Sequence, residues 1–397
     1  MIQQWLGARH VAFIPVSNAQ VDVNVPPDFR AQVLARAFFD PDPVTGFDRS
    51  LAAYVHAMSS GRASLTGKVL PPVVAPDEDV IGAGLRSLPF LSTPFFDLKL
   101  HPFDFAVMVL PHGFGPHRGG YAWYPGDAVN GMSYYARTAL YQDPGLSMRQ
   151  SIGVWGMETL HMITRMGDLY YSLPPLGRYD VMSCSCGTHA SAHTKGLFGW
   201  LADGSVAIHQ IGTTATYQVH AISQTQPPPP GRVSAVRLKS KVSPGYLMIE
   251  ARVRTDQYEN AGAVSQGIPV EGALIYEVQG DTKVFLKASG IAGTATLQGE
   301  GLTVESSAVP GGFAITVRSR PTSRCAEIQR RLEALRTSLE IENDPVRRKQ
   351  LISAIVQTQN ELRQLNCRVP DSVYEGVVGR YLEELHAVTD DTQYDAE

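Results

Sequence analysis

The chain has 397 residues, of which 44% are hydrophobic and only 18% are charged, which excludes a disordered chain or a long solvated coil as the main architecture. The formal net charge is -4, and the absence of a basic stripe argues against nucleic-acid binding. No run of about 18 apolar residues occurs, so no transmembrane helix is expected, and the length predicts two or three domains.

The first part of the chain alternates between predicted strands and helices. Residues 8–16 and 103–110 are almost continuously apolar, as in strands covered on both faces of a sheet. Helices are predicted over residues 28–39 and 48–58. This alternation indicates an α/β or α+β domain, which we place at residues 1–205.

From about residue 206 the pattern changes to short segments in which apolar and polar residues alternate. A four-proline loop at 227–230 is stiff and extended. The pattern predicts a β-sandwich over residues 206–320. The predicted strands are 217–222, 233–238, 246–253, 273–278, 283–286, 294–297 and 313–317.

Residues 321–397 form the third predicted unit. Leucine and isoleucine repeat at helical spacing on both sides of Pro345, so an antiparallel helical hairpin is predicted over 323–367. Cys325 and Cys367 would lie side by side at its open end. They form either a disulfide, which indicates an oxidising compartment, or two buried free thiols.

A predicted helix carries the residues that suggest chemistry. A capping-box spacing at Ser147 and a stop signal at Gly167 bound this helix, so that Met157, Glu158 and His161 share one face. Zinc peptidases use this geometry as H-E-x-x-H, in which two histidines bind the metal and the glutamate is the general base. In this chain a methionine occupies the position of the first histidine.

The order of several segments across residues 8–280 resembles the immune inhibitor A-type secreted metallopeptidases. The segments are 50–67, 153–161, Gly167-Asp168-Leu169-Tyr170, Tyr179-Asp180-Val181-Met182, 191–201, 246–252 and 272–278. The resemblance implies an α+β chain with a zincin-like metallopeptidase domain, then the β-sandwich, with the helical hairpin as an addition. It also implies zinc as cofactor, Glu158 as general base, His161 as a zinc ligand and Met182 as the floor of the site. Asp168 is either a third ligand or a cap of the following loop.

Two departures from the family pattern favour a site that no longer holds zinc. The Met157 thioether is a weak ligand for Zn²⁺, and catalytic zinc normally takes three protein ligands. Arg165 lies four residues after His161, so it should point along the same helix face, where it would oppose a cation or pair with Glu158. We therefore expect a pseudopeptidase that acts by protein binding or as a structural component; the alternative is an active secreted zinc endopeptidase with an altered ligand set.

A second group of metal-ligating residue types follows within ten positions. Cys184, Cys186, His189 and His193 have donor types that suit tetrahedral zinc, although their spacing is not that of a zinc finger. Alternatively, the histidines flank the start of a helix and the cysteines are a loop pair. Cysteines separated by one residue rarely bridge to each other, so no disulfide is expected between them.

The expected partners are a protein or peptide in the ancestral cleft and a protein that docks on the 323–367 hairpin. Neither nucleic acid nor a transmembrane segment is expected. The first residues lack the features of a signal peptide, which fits either a cytosolic protein or a mature chain that begins with a new Met. The resemblance and the predicted disulfide favour an extracellular location, with the cytoplasm as the second choice.

Overall fold

The computed structural model describes residues 2–18, 38–39, 49–69, 73–75, 103–110, 120–122, 137–141, 152–262, 264–319, 324–342 and 344–364. These residues mix helices and sheets, in agreement with the α+β prediction. The chain divides into two compact units: unit 1 is Met1–Ser240 with Gly245–Arg318, and unit 2 is Lys241–Pro244 with Ser319–Glu397. The predicted helix at 28–39 lies almost wholly outside the described residues, as do Ser147 and Cys367.

The first sheet of unit 1 is mainly parallel. Its strand order is β2-β1-β4-β6-β5, and β3 also pairs with β1; β5 alone runs antiparallel to its neighbour. The strands are β1 (Gly7–Asn18), β2 (Ala63–Val69), β3 (Val73–Ala75), β4 (Phe105–Leu110), β5 (Gly120–Ala122) and β6 (Arg137–Tyr141). The apolar run of β1 lies between β2 and β4, and its residues Val11, Ala12 and Phe13 are fully buried. The strands predicted at 8–16 and 103–110 are therefore confirmed.

Four short helices among the described residues belong to unit 1, and the first two of them contact this sheet. They are α1 (Leu51–Met58), α2 (Ile152–Thr164), α3 (Val181–Cys184) and α4 (Ala192–Leu197), with a 3-10 turn at Gly177–Tyr179. The helix predicted over 48–58 begins at Leu51 because the Ser50 hydroxyl accepts a hydrogen bond from the Ala53 N–H at 3.1 Å. Helix α2 approaches α1 closely at Gly156, where a Cβ atom would lie 2.5 Å from the Tyr54 ring.

Two further sheets follow in unit 1. Their orders are β12-β11-β10-β9-β7 and β13-β14-β15-β8. The strands are β7 (Val206–Ile208), β8 (Thr214–His220), β9 (Ala235–Lys239), β10 (Tyr246–Arg252), β11 (Gly272–Val278), β12 (Val284–Ile291), β13 (Thr294–Leu297), β14 (Leu302–Val309) and β15 (Gly312–Ser319). All the strands predicted here are present, and the sequence missed β7 and β14. The serines and the glutamate of β14 obscure its alternation of buried and exposed positions.

Strands β10 and β11 are buried along almost their whole length because they contribute to two apolar cores. Met248 and Leu274 belong to the core that contains α1 and α2. Ile249 and Ile275, on the opposite faces of the strands, join a core shared by the second and third sheets. The domain boundary predicted at residue 206 therefore falls inside one compact unit rather than between two.

Unit 2 contains the predicted helical hairpin, made of α5 (Arg324–Ile341) and α6 (Pro345–Gln364). Arg331 bonds to Glu361, whereas Arg348 bonds to the Leu339 carbonyl, so the helices run antiparallel. The buried seam contains Ile328, Leu332, Leu339, Ile352 and Ile355. The predicted bridge from Cys325 stays a prediction because Cys367 lies outside the described residues. None of the helices in the described ranges is long and apolar enough to span a membrane.

Candidate functional site

Helix α2 places the three predicted site residues on one buried face. Met157, Glu158 and His161 are 5%, 9% and 6% exposed, and all lie between Ile152 and Thr164. Their spacing puts residues 157 and 161 one turn apart, with Glu158 beside them. The prediction that they share one helix is therefore confirmed.

The predicted end of this helix at Gly167 is wrong. Helix α2 ends at Thr164, and Arg165 adopts a left-handed backbone with φ of 61° while its N–H still bonds to the His161 carbonyl at 2.9 Å. Arg165 thus has the stop conformation that the sequence assigned to glycine. Arg165 therefore lies outside the helix, and the prediction that it points along the helix face stays untested.

The reversal at Arg165 brings two oxygen acceptors to the His161 imidazole. Its Nδ1 lies 2.5 Å from the Met166 carbonyl oxygen, and its Nε2 lies 2.9 Å from Asp168 Oδ1. Burial lowers the pKa of His161, but the hydrogen bonds to Asp168 and Met166 outweigh it, so the pKa is raised. The arrangement favours an imidazolium that donates through both ring nitrogens.

Glu158 shares this electrostatic environment. Burial raises the pKa of its carboxyl to about 7; the nearby His161 opposes the rise and Asp168 adds to it. A carboxyl with such a pKa exchanges its proton near neutral pH, which is a property of general acid–base groups. The pKa values of Glu158 and His161 are therefore set by burial, by each other and by the neighbouring Asp168.

The sequence did not identify Tyr170 as part of this group. Its pKa is raised by burial first and then by hydrogen bonds to Asp168 and Tyr171. The two tyrosine rings lie 4.6 Å apart, and Tyr171 and Leu173 are 78% and 79% exposed. An exposed apolar edge thus begins two residues after Asp168.

Met182 lies fully buried in α3, and its carbonyl oxygen accepts a hydrogen bond from the Leu169 N–H at 2.9 Å. The segment that carries Asp168 is therefore attached to the predicted floor of the site. Asp180, also fully buried, caps α3 by accepting the Met182 N–H at 2.7 Å and accepts the N–H of Ser191, the N-cap residue of α4, at 2.8 Å. One carboxylate thus positions two helices, and the Thr194 hydroxyl also donates to it at 2.6 Å.

The donors on this face do not fit a catalytic zinc ion. Met157 offers only a thioether, and the Nε2 that would bind the metal instead faces Asp168. Catalytic zinc needs three protein ligands and an open position. Within the part of the chain that the structure describes, no three His, Cys, Asp or Glu side chains are grouped to hold a metal ion.

The structure does not bring the second predicted group of ligands together. The sulfur atoms of Cys184 and Cys186 lie at disulfide-bonding distance, so the expectation that they would not bridge is wrong. The imidazoles have other partners: His189 Nε2 is 2.7 Å from Asp256, and His193 Nε2 is 2.9 Å from the carbonyl oxygen of Asp281. These four side chains therefore form no common site.

A buried ion-pair network lies behind α4, and the sequence gave no clear signal for it. Arg252 bonds to Glu250 at 3.0 Å and to Glu259 at 2.7 Å, and all three side chains are essentially unexposed. Glu250 also accepts the Ala192 N–H at 2.7 Å, which joins β10 to the start of α4. The glutamate and the arginine inside the otherwise apolar strand 246–252 were the only available hint.

The chain matches no protein-family model and no curated protein sequence. The metallopeptidase interpretation therefore stays a prediction from the order of the sequence segments.

Proposed function

We propose that this protein is a pseudopeptidase, with a zincin-like domain followed by a β-sandwich, in which the former zinc site binds a protein or peptide without cleaving it. The hydrogen bonding of His161 carries this proposal. The lone pair that zinc would need on Nε2 faces Asp168, and Met157 supplies no imidazole one turn earlier. Without a second imidazole, the affinity for zinc should be too low for catalysis.

The surface beside the site supports a binding role. Tyr170, Tyr171 and Leu173 expose 42%, 78% and 79% of their surface and follow Asp168 directly. Aromatic residues at an exposed apolar edge are typical of protein–protein and peptide-binding surfaces. We place the bound segment along this edge, with Glu158 and His161 at its inner end.

The disulfide-bonded pair Cys184 and Cys186 supports an extracellular location, because disulfides persist in oxidising compartments. The predicted bridge between Cys325 and Cys367 would add to this support. Secretion therefore remains part of the proposal.

The alternative is an active zinc endopeptidase with an altered ligand set, and the pKa of Glu158 favours it. A buried carboxyl whose pKa is about 7 has the proton affinity expected of a general base. Both functions use the same residues. The presence of tightly bound zinc is the measurable property that separates them.

The first test is the zinc content of the purified protein by mass spectrometry, together with cleavage of an unstructured protein substrate. The pseudopeptidase proposal expects far less than one zinc per chain and no cleavage when zinc is added. One tightly bound zinc per chain that is lost in His161→Ala would overturn it in favour of the active enzyme.

The second test restores the missing ligand. Met157→His should create two imidazoles at positions i and i+4 around Glu158 and raise zinc affinity by orders of magnitude. Met157→Gln is the matched control, since it changes polarity at the same position without adding an imidazole. If Met157→His binds no more zinc than Met157→Gln, α2 is not a zinc-peptidase helix, and the double variant with Arg165→Gly would separate that result from repulsion by the guanidinium.

A further inference from the structure

A cavity of about 250 Å³ lies in unit 1, away from the face of α2. Its wall comes from the turn after α1, from α4 and the following loop, and from the end of β8 with the proline-rich loop. The lining includes Arg62, Lys195, Trp200, His220, Ile222 and Pro227. The lining contains two basic residues, Arg62 and Lys195, and a histidine, but no aspartate or glutamate.

The two cationic side chains are held by carbonyl oxygens rather than by carboxylates. Lys195, only 1% exposed, donates from Nζ to the Ile222 carbonyl at 2.5 Å. Arg62 donates from Nη1 to the carbonyls of Gly199 at 2.8 Å and Leu201 at 2.7 Å. Across the described residues, neither side chain forms an ion pair. A buried ammonium with only a neutral acceptor is costly, so this position favours a negatively charged ligand.

The surrounding charges do not neutralise Lys195. Burial is the main cause that lowers the pKa of Lys195, to about 7, and the nearby Arg252 lowers it further. The acidic groups that raise it already have other partners: Glu250 and Glu259 bond to Arg252, and Asp256 bonds to His189. Among the described residues, the Lys195 amine therefore has no carboxylate of its own as a counter-ion.

One part of the wall is apolar, beside the polar side chains of Ser60, His220 and Gln224. Trp200 is 2% exposed, and Ile222, Pro227 and Pro228 add hydrocarbon surface. The Ser60 hydroxyl donates to the Gln224 carbonyl at 3.1 Å, which ties the turn after α1 to the proline-rich loop. The volume lies just below the range of roughly 300–1,000 Å³ that is typical of drug-sized ligands, so the occupant is small.

We propose that this cavity binds a small organic carboxylate with an apolar body, whose carboxylate pairs with Lys195 and Arg62 and whose body packs on Trp200. The site is independent of the α2 face, so the proposal does not depend on the presence or absence of zinc. Binding should return Lys195 to its protonated form, because a bound anion stabilises the ammonium.

Isothermal titration calorimetry with benzoate tests this proposal, with benzamide as the neutral analogue and inorganic phosphate as the anion without an apolar body. We expect saturable binding of benzoate only. At about pH 8, above the pKa of the free amine, the binding enthalpy should vary with the ionisation enthalpy of the buffer, which reports proton uptake.

Lys195→Met keeps the length of the side chain and should weaken benzoate binding about tenfold or more, because a charge-assisted contact is lost. Arg62→Gln should also weaken binding, and because Arg62 bonds to the carbonyls of Gly199 and Leu201, the melting temperature of this variant is compared with that of the wild type. Lys239→Met, on the exposed end of β9, is the control and should bind as the wild type does. The proposal is overturned if benzoate does not bind saturably, if both Lys195→Met and Arg62→Gln bind it normally, or if phosphate binds in its place.

Discussion

Asp180 is the residue whose removal should most disturb the candidate site without touching a predicted ligand. In Asp180→Ala, the buried N–H groups of Met182 and Ser191 lose their acceptor, and so does the Thr194 hydroxyl. A buried donor left unsatisfied costs about 1–3 kcal/mol. Two such N–H groups, with the hydroxyl free to turn elsewhere, give an expected loss of about 3–5 kcal/mol.

A loss of that size should lower the melting temperature by about 10 °C, given roughly 2–4 °C per kcal/mol for a domain of this kind. Circular dichroism during thermal and urea unfolding measures it. Thr194→Val removes one hydrogen bond to the same carboxylate and should cost only about 1 kcal/mol. Asp203→Ala, at an exposed aspartate, should be neutral. If Asp180→Ala unfolds with the same midpoint as Asp203→Ala, the carboxylate does not hold α3 and α4 together.

Four further predictions concern other residues of the chain. The folded-state pKa of Glu158 is raised from 4.5 to about 7, so its contribution to stability is present at low pH and lost as the pH rises through about 7. In urea unfolding, Glu158→Gln should therefore gain on the order of 3 kcal/mol relative to the wild type between about pH 4 and about pH 8. An unchanged difference across that range would contradict the assigned burial. Arg165→Gly should stabilise unit 1 by about 1 kcal/mol because the left-handed backbone suits glycine, whereas a lower melting temperature would indicate that the guanidinium makes a needed contact. Leu332→Ala should lower the stability of the hairpin by about 2–5 kcal/mol. This loss should appear as faster amide exchange in α5 and α6 than in the exposed-site control Val346→Ala. Intact-mass analysis after alkylation without reduction should find no free thiol at Cys325 or Cys367.

Local patterns predicted the elements of this chain better than the points where they end. The helix at 152–164 was predicted from a capping-box spacing and a glycine stop, and the strands within 214–319 were predicted from alternation, which follows from which side chains are buried. The end of α2 was misplaced because Gly167 is the better stop residue by propensity, while the tertiary contacts of Met166 and Asp168 with His161 impose the turn earlier, at Arg165.

The polar contacts of the site were beyond the reach of local patterns because their partners are distant in sequence. Glu250 meets the start of α4 from 58 positions away, and His189 meets Asp256 from 67. The cavity around Lys195 also depends on a distant partner, since the Ile222 carbonyl that accepts the hydrogen bond from Lys195 lies 27 positions further on. Residue types at one position cannot reveal such pairings, whereas the face shared by Met157, Glu158 and His161 could be read from spacing alone.

Because β10 and β11 contribute to two apolar cores, recombination within unit 1 would disturb its packing. Their two faces belong to different cores, so a recombination event that joined residues 1–205 to another partner would strip Met248 and Leu274 from the packing around α1 and α2. Such a chimaera would expose apolar surface on both of its parts. Residues 1–205 are therefore not expected to fold as a separable part, because Met248 and Leu274 complete the core around α1 and α2.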